Sequence, residues 1–305
     1  MLQQSKTSRR SSFYLATVVL PRWFAAPIIV SSVILGWAVS APLSWWVVLP
    51  VLMALLVMSY SHVINAVLDW SWTKLDRGLE SERSHPKPYT SGQQVIASGL
   101  LSPRQVLLIA VGWLALSAIA MIYISIYTAS FWVPRFWVLS TLVTFAYSWG
   151  KLHWLCELAL GIGFGPLAAL IGAAASPSPD YLTAALASIP IFLIFGFAAE
   201  IWDQAADSDA NWERGLRNIG ALAWHYHIFI WEPVLAFTVL AYLSQLFLVL
   251  NGVLNPWTWL TLGTLPFLAF IPRATLENKL ATLVALTGVF VYCILLALGE
   301  VIATV

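Results

Sequence analysis

His62-Val-Ile-Asn65-Ala-Val-Leu-Asp69-Trp-Ser-Trp-Thr73-Lys74-Leu-Asp76-Arg77 closes a long apolar run, and the proline-rich stretch His85-Pro-Lys87-Pro-Tyr-Thr-Ser91-Gly92 follows it. Charged residues make up only 10% of the chain, yet here they gather where a hydrophobic segment ends. A helix turns by about 100° per residue, so a continuous helix would place Asn65, Asp69 and Asp76 within roughly 40° of one another. Lone carboxylates near membrane depth cost about 2.5 to 3.5 kcal/mol each, and a shared cation offsets that cost. The stretch therefore reads as half of a metal and phosphate site, with an ordinary solvated helix end as the bland alternative.

Working outward, the 305-residue chain is 60% hydrophobic, with a mean hydropathy of +0.82 and 17 Trp, which excludes an ordinary soluble domain. An all-α polytopic membrane protein is expected. The net charge of +1 is uninformative, and with no basic arm or interleaved basic-aromatic patch no nucleic-acid partner is expected. Cys156 and Cys293 sit in separate apolar segments and read as packing residues, with no disulfide implied. The basic N-terminal segment 1–20 is not followed by a cleavage signature, so no removed signal peptide is expected, and residues 1–305 read as one membrane-embedded domain.

Apolar runs of bilayer length fall near 23–40, 44–68, 105–127, 131–149, 155–176, 182–202, 226–250, 257–272 and 280–303, predicting about nine helices. With that count, 14 of the 15 Lys and Arg residues fall on one side and only Arg135 on the other. Basic residues accumulate in cytoplasmic loops, so the N-terminus and the long polar loops are expected in the cytoplasm and the C-terminus on the opposite side. Of those loops, only about 70–104 and 203–224 carry acid clusters. The second reads Glu200-Ile-Trp-Asp203-Gln-Ala-Ala-Asp207 and continues to Arg214 and Arg217. Helical spacing puts Glu200, Asp203 and Asp207 on one face.

Two carboxylate faces, each followed by basic residues, suit a diphosphate held through Mg2+, which takes oxygen ligands and shares them between carboxylates and phosphates. The rest of such a substrate would be apolar, as in a polyprenyl diphosphate. The chain resembles the UbiA superfamily of intramembrane prenyltransferases, on several quoted segments. Asn65 and Asp69 match the first and third polar positions of that family's Asn-Asp-x-x-Asp-x-x-x-Asp motif, and Lys87-Pro-Tyr-Thr-Ser91-Gly92 is similar to its loop. Glu200-Ile-Trp-Asp203-Gln-Ala-Ala-Asp207 resembles the second motif. Pro21-Arg22-Trp23 resembles the start of the first helix, and Tyr147-Ser-Trp-Gly-Lys151 with Leu160-Gly161-Ile-Gly-Phe164-Gly165 resembles the fourth-to-fifth helix junction. Ala66 and Thr73 depart from the family by replacing acids, and Glu200 stands where an Asp is usual.

The resemblance implies nine helices around a central cavity and Mg2+-dependent transfer of a prenyl group. It implies Asn65, Asp69, Asp203 and Asp207 as catalytic and Asp69, Glu200, Asp203 and Asp207 as metal ligands, and helical spacing adds Asp76 to both sets in the place of Thr73. Arg22, Lys87, Lys151, Arg214 and Arg217 would bind diphosphate, although all five also fit as cytoplasmic-side anchors. Glu157, in an apolar run, is a candidate for contact with the acceptor. His62 is either an aid to the site or a hydrogen-bonded membrane histidine. The acceptor is open, with an aromatic quinone-type ring favoured over a lipid alcohol, and membrane lipid surrounds the whole. A terpene cyclase on the same scaffold and a transporter remain as rivals.

Overall fold

The computed structural model describes residues 14, 17, 20–75, 94–97, 99–205, 212–273 and 279–304, and among these every regular element is helical. A 3-10 turn at Trp23–Ala25 leads into α1 (Ala26–Ala38), and α2 spans Val48–Ser71. Next come α3 (Pro103–Thr128), α4 (Trp132–Gly150) and α5 (Cys156–Ile162). A π-turn at Gly163–Leu167 joins α5 to α6 (Ala168–Ala174). Then α7 (Tyr181–Ala187) and α8 (Ile189–Leu193) are followed by a second π-turn, Ile194–Ala199, and α9 (Glu200–Ala205). The chain ends with α10 (Ile219–His225), α11 (Trp231–Leu250), a 3-10 segment Pro256–Thr264, α12 (Leu265–Leu268) and α13 (Lys279–Thr304).

Each of the nine expected apolar runs is helical in some form, but the segments do not all qualify as spans. Among the described residues five helices are long and apolar enough to cross a bilayer, and a sixth span is formed if the pair Tyr181–Ala187 and Ile189–Gln204, bent by 41°, is counted together. Pro190 lies in the first turn after the bend, where a missing N–H and a fixed φ interrupt the helical ladder. The run near 257–272 is mostly a 3-10 helix and not a long α-helix. In an apolar medium its backbone groups need internal partners. Gln245 supplies one by donating to the Thr258 carbonyl at 2.9 Å, and Tyr242 donates to the Thr261 carbonyl at 3.1 Å. Gln245 is itself fixed by the Tyr292 hydroxyl, which donates to its side-chain oxygen at 2.7 Å.

The outer surface fits an integral membrane protein. Along α3, Leu108, Ile119 and Ile126 are 63%, 65% and 77% exposed, and Leu107, Val111, Leu116 and Ile122 of the same helix are exposed with them, more apolar side chains than a helix in water presents. Ser102 and Gln105 close a capping box at the start of that helix, with Pro103 in its first turn. The largest buried cluster joins α1, the second π-turn, α11 and α13.

Close helix contact depends on glycine. A Cβ on Gly36 would run into the Ala169 carbonyl, and one on Gly172 would run into that of Val33, so α1 and α6 touch backbone to backbone. A Cβ on Gly196 would collide with Gly161 Cα, which brings the second π-turn against α5. Gly196→Leu should lower the thermal midpoint of the detergent-solubilised protein or abolish its monodisperse gel-filtration peak, at a cost of about 3 kcal/mol or more. Gly112→Ala meets nothing within 4 Å and should leave both readings at or slightly above wild type.

Candidate functional site

The ends of α2, α4 and the α8–α9 span meet on one side of the bundle, and the polar residues meet there with them. Asp69 and Lys151 form a buried ion pair, Nζ to Oδ2 at 2.6 Å, with Asp69 fully buried. Asn65 Nδ2 donates to the same Asp69 oxygen at 3.0 Å, while Ser148 Oγ donates to Asn65 Oδ1 at 2.7 Å. Thr73 Oγ1 approaches the other Asp69 oxygen at 3.4 Å. The Lys151 ammonium also lies 4.8 Å from the Tyr147 ring centre, within cation–π range.

A second network begins one helical turn earlier on α4. The Tyr147 hydroxyl donates to Glu200 Oε1 at 2.7 Å, and Gln204 Nε2 donates to that oxygen at 2.5 Å. Asn218 Nδ2 donates to Gln204 Oε1 at 3.3 Å, and its own oxygen caps α10 by accepting the Ala221 N–H at 2.7 Å. Two main-chain bonds then tie the loop after α4 to the loop before α10: Arg217 N–H donates to the Lys151 carbonyl at 2.6 Å and Trp154 N–H to the Arg217 carbonyl at 3.1 Å. The two acid segments expected from sequence are thus neighbours, connected through Tyr147 and Lys151.

A cavity of about 160 Å3 opens beside these networks. Its polar end is formed by Arg22, Asn65, Tyr147, Glu200 and Asp203, and its body includes Ile29, Met58, Phe164, Phe195 and Phe290. Arg22 is 8% exposed and sits at φ 53, a left-handed conformation that costs a non-glycine residue energy. Its Nε and Nη2, together with His62 Nε2 and Trp202 Nε1, are buried without a hydrogen-bond partner among the described residues, and all three side chains line the cavity. Such orphaned groups are what a bound polar ligand satisfies.

Several sequence expectations take a different form. The helical argument for Asp76 fails, because α2 ends at Ser71 and Lys74 adopts a positive φ of 61, which breaks the helical phase. Asp76 itself, Lys87 and Asp207 lie outside the described residues. Glu157 is not a wall of the cavity; it is buried with Oε1 accepting the Ile219 N–H at 2.6 Å and Oε2 accepting from Cys156 Sγ at 3.1 Å. Arg217 turns its guanidinium to the Trp212 and Leu216 carbonyls at 2.9 and 2.8 Å and over the Trp212 ring at 4.4 Å. Arg214 is half-buried and does not line the cavity. Cys156 and Cys293 are free and buried, as expected. Tyr147, Ser148, Trp202 and Gln204 stood inside quoted segments without a role of their own, and Asn218 was given none either. The signal was present in part, since Tyr147 and Lys151, like Glu200 and Gln204, are four apart and share a helical face.

Solved structures with this architecture include a UbiA homolog from Archaeoglobus fulgidus bound to GPP and Mg2+, at TM-score 0.64 and 15% identity, covering 94% of this chain and 99% of that one. The same homolog bound to DMAPP and Mg2+ superposes at TM-score 0.60 and 15% identity, over 93% and 98% of the two chains. An apo UbiA homolog from Aeropyrum pernix K1 matches at TM-score 0.64 and 15% identity, covering 94% and 99%. No curated protein matches the sequence. The model of the UbiA prenyltransferase family matches residues 24–279, and the chain belongs to that family.

Proposed function

We propose that this protein transfers a prenyl group from a prenyl diphosphate to an acceptor within the membrane, with the help of a divalent cation. The observation that carries the reading is the two-ended cavity, polar at Arg22, Asn65, Glu200 and Asp203 and apolar along Ile29, Met58, Phe164, Phe195 and Phe290. A prenyl diphosphate has the same division into a charged head and a hydrocarbon tail. The Archaeoglobus fulgidus homolog is bound to GPP or DMAPP together with Mg2+, which agrees with this assignment at the level of the fold.

The donor set of the second acid segment fits magnesium: Glu200 and Asp203 both line the polar end, and carboxylate oxygens are its preferred protein ligands. Bound there, magnesium would stabilise the charge that grows on a departing diphosphate. Arg22 would pair with the diphosphate through the fork of nitrogens that lacks a partner. Lys151, fixed by Asp69, adds positive potential at the same end. The apolar walls exclude water from the allylic cation formed when the carbon–oxygen bond breaks, and the faces of Phe164, Phe195 and Phe290 suit a cation. An electron-rich atom of the acceptor forms the new bond and loses its proton. An aromatic, quinone-type acceptor fits a cavity with several aromatic walls. The clustering of Arg22, Lys151, Arg214 and Arg217 at the acid end supports a cytoplasmic opening.

Purified protein given geranylgeranyl diphosphate should release pyrophosphate only with Mg2+ and only with a matching member of a panel of aromatic and lipid acceptors. Release without any acceptor would favour a cyclase, and no release with any donor would sink the reading. Asp203→Asn should lower kcat/KM by about 100-fold or more while leaving the thermal midpoint near wild type. Ala54→Phe narrows the apolar body and should raise KM for a twenty-carbon donor at least about tenfold more than for a five-carbon donor.

A further inference from the structure

Two acid segments invite the assumption that each holds a metal ion, and the geometry separates them. Glu200 and Asp203 face the cavity, whereas Asp69 and Lys151 are absent from its walls. Both Asp69 oxygens are engaged by protein: Oδ2 accepts from Lys151 Nζ and Asn65 Nδ2, and Oδ1 is approached by Thr73. On α2 the first segment offers no other carboxylate, since Ala66 lies one position from Asn65; beyond the helix Thr73 stands four residues after Asp69, and Asp76 lies outside the described residues. A divalent cation at Asp69 would either share a site of almost no exposure with the Lys151 ammonium, where like charges repel, or displace it and leave that ammonium buried alone. Removing one partner of a buried pair is strongly unfavourable.

We propose that Asp69 is not a metal ligand in this protein but a positioning residue, which holds the Lys151 ammonium as a permanent cation, and that the divalent cation is taken by the second segment through Glu200 and Asp203. This rests on the prenyl-diphosphate reading of the cavity. Lys151 lies within electrostatic reach of Glu200 as well as in contact with Asp69, so its charge stands between the two acid segments. Its main-chain carbonyl holds Arg217, which keeps the loop carrying it against the loop before α10. A fixed ammonium there supplies the positive charge that a metal on the first segment would otherwise bring, without depending on metal concentration.

The test is a Mn2+ titration followed by electron paramagnetic resonance on the full chain in nanodiscs, with geranylgeranyl thiolodiphosphate as a donor analogue that does not ionise. Wild type should bind Mn2+ at a single class of site. Asp69→Asn should keep its Mn2+ affinity within about threefold of wild type while raising KM for the donor, whereas Asp203→Asn should weaken Mn2+ binding at least about tenfold. If Asp69→Asn alone does not fold, the double variant Asp69→Asn with Lys151→Met removes both buried charges, and it should recover the thermal midpoint and bind Mn2+ as wild type does. Loss of Mn2+ binding in a folded Asp69 variant, with wild type binding normally, overturns this assignment and leaves the prenyl-transfer reading standing. Wild type that binds no Mn2+ with the analogue overturns both.

Discussion

A lysine ammonium and an aspartate carboxylate 2.6 Å apart, both almost without solvent exposure, connect the ends of α2 and α4. Neither charge could stay buried alone, so the positions of the two helix ends are coupled. The coupling spreads through polar neighbours. Asn65 and Ser148 bond each other beside the pair, and the Lys151 carbonyl accepts the Arg217 N–H. From Arg217 and Asn218 the connection returns through Gln204 to Glu200 and then to Tyr147 on α4. A chain of hydrogen bonds and main-chain links therefore runs beside the polar end of the cavity and reaches its wall at Asn65, Tyr147 and Glu200. In a low-dielectric interior a satisfied network is rigid, and a broken one leaves buried polar groups unpaired.

The cavity exists because the helices around it are irregular. Its walls include Gly163 and Phe164 from one π-turn and Phe195 and Ala199 from the other. An extra residue in a turn shifts side chains out of regular phase, and such bulges often accompany functional sites. Gly161 and Gly196 bring α5 and the second π-turn into backbone contact. Close approach in one place and irregularity in the next leave space for a ligand inside a bundle whose other contacts are tight.

Much of the architecture was legible in the chain because a membrane imposes simple rules. Apolar runs of bilayer length predicted helices where helices occur. The two acid segments were visible because carboxylates are scarce in so apolar a sequence. The run near 257–272 misled, since composition reports how apolar a segment is and not whether its backbone is α or 3-10; the side chains of Gln245 and Tyr242, from another helix, support the second choice.

By itself the sequence determined the helical class, the approximate place of each apolar segment and the residue types at the acid ends, all of which follow from local composition and periodicity. Tertiary structure decided what each acid does. Asp69 faces Lys151, 82 positions away, and Glu157 closes the amino end of α10, 62 positions away, while Glu200 and Asp203 are turned toward the cavity. Helical spacing places residues on a face of their own helix, and only packing determines what that face meets. Asp76 marks the limit of the method: its alignment with Asp69 assumed a helix that ends at Ser71.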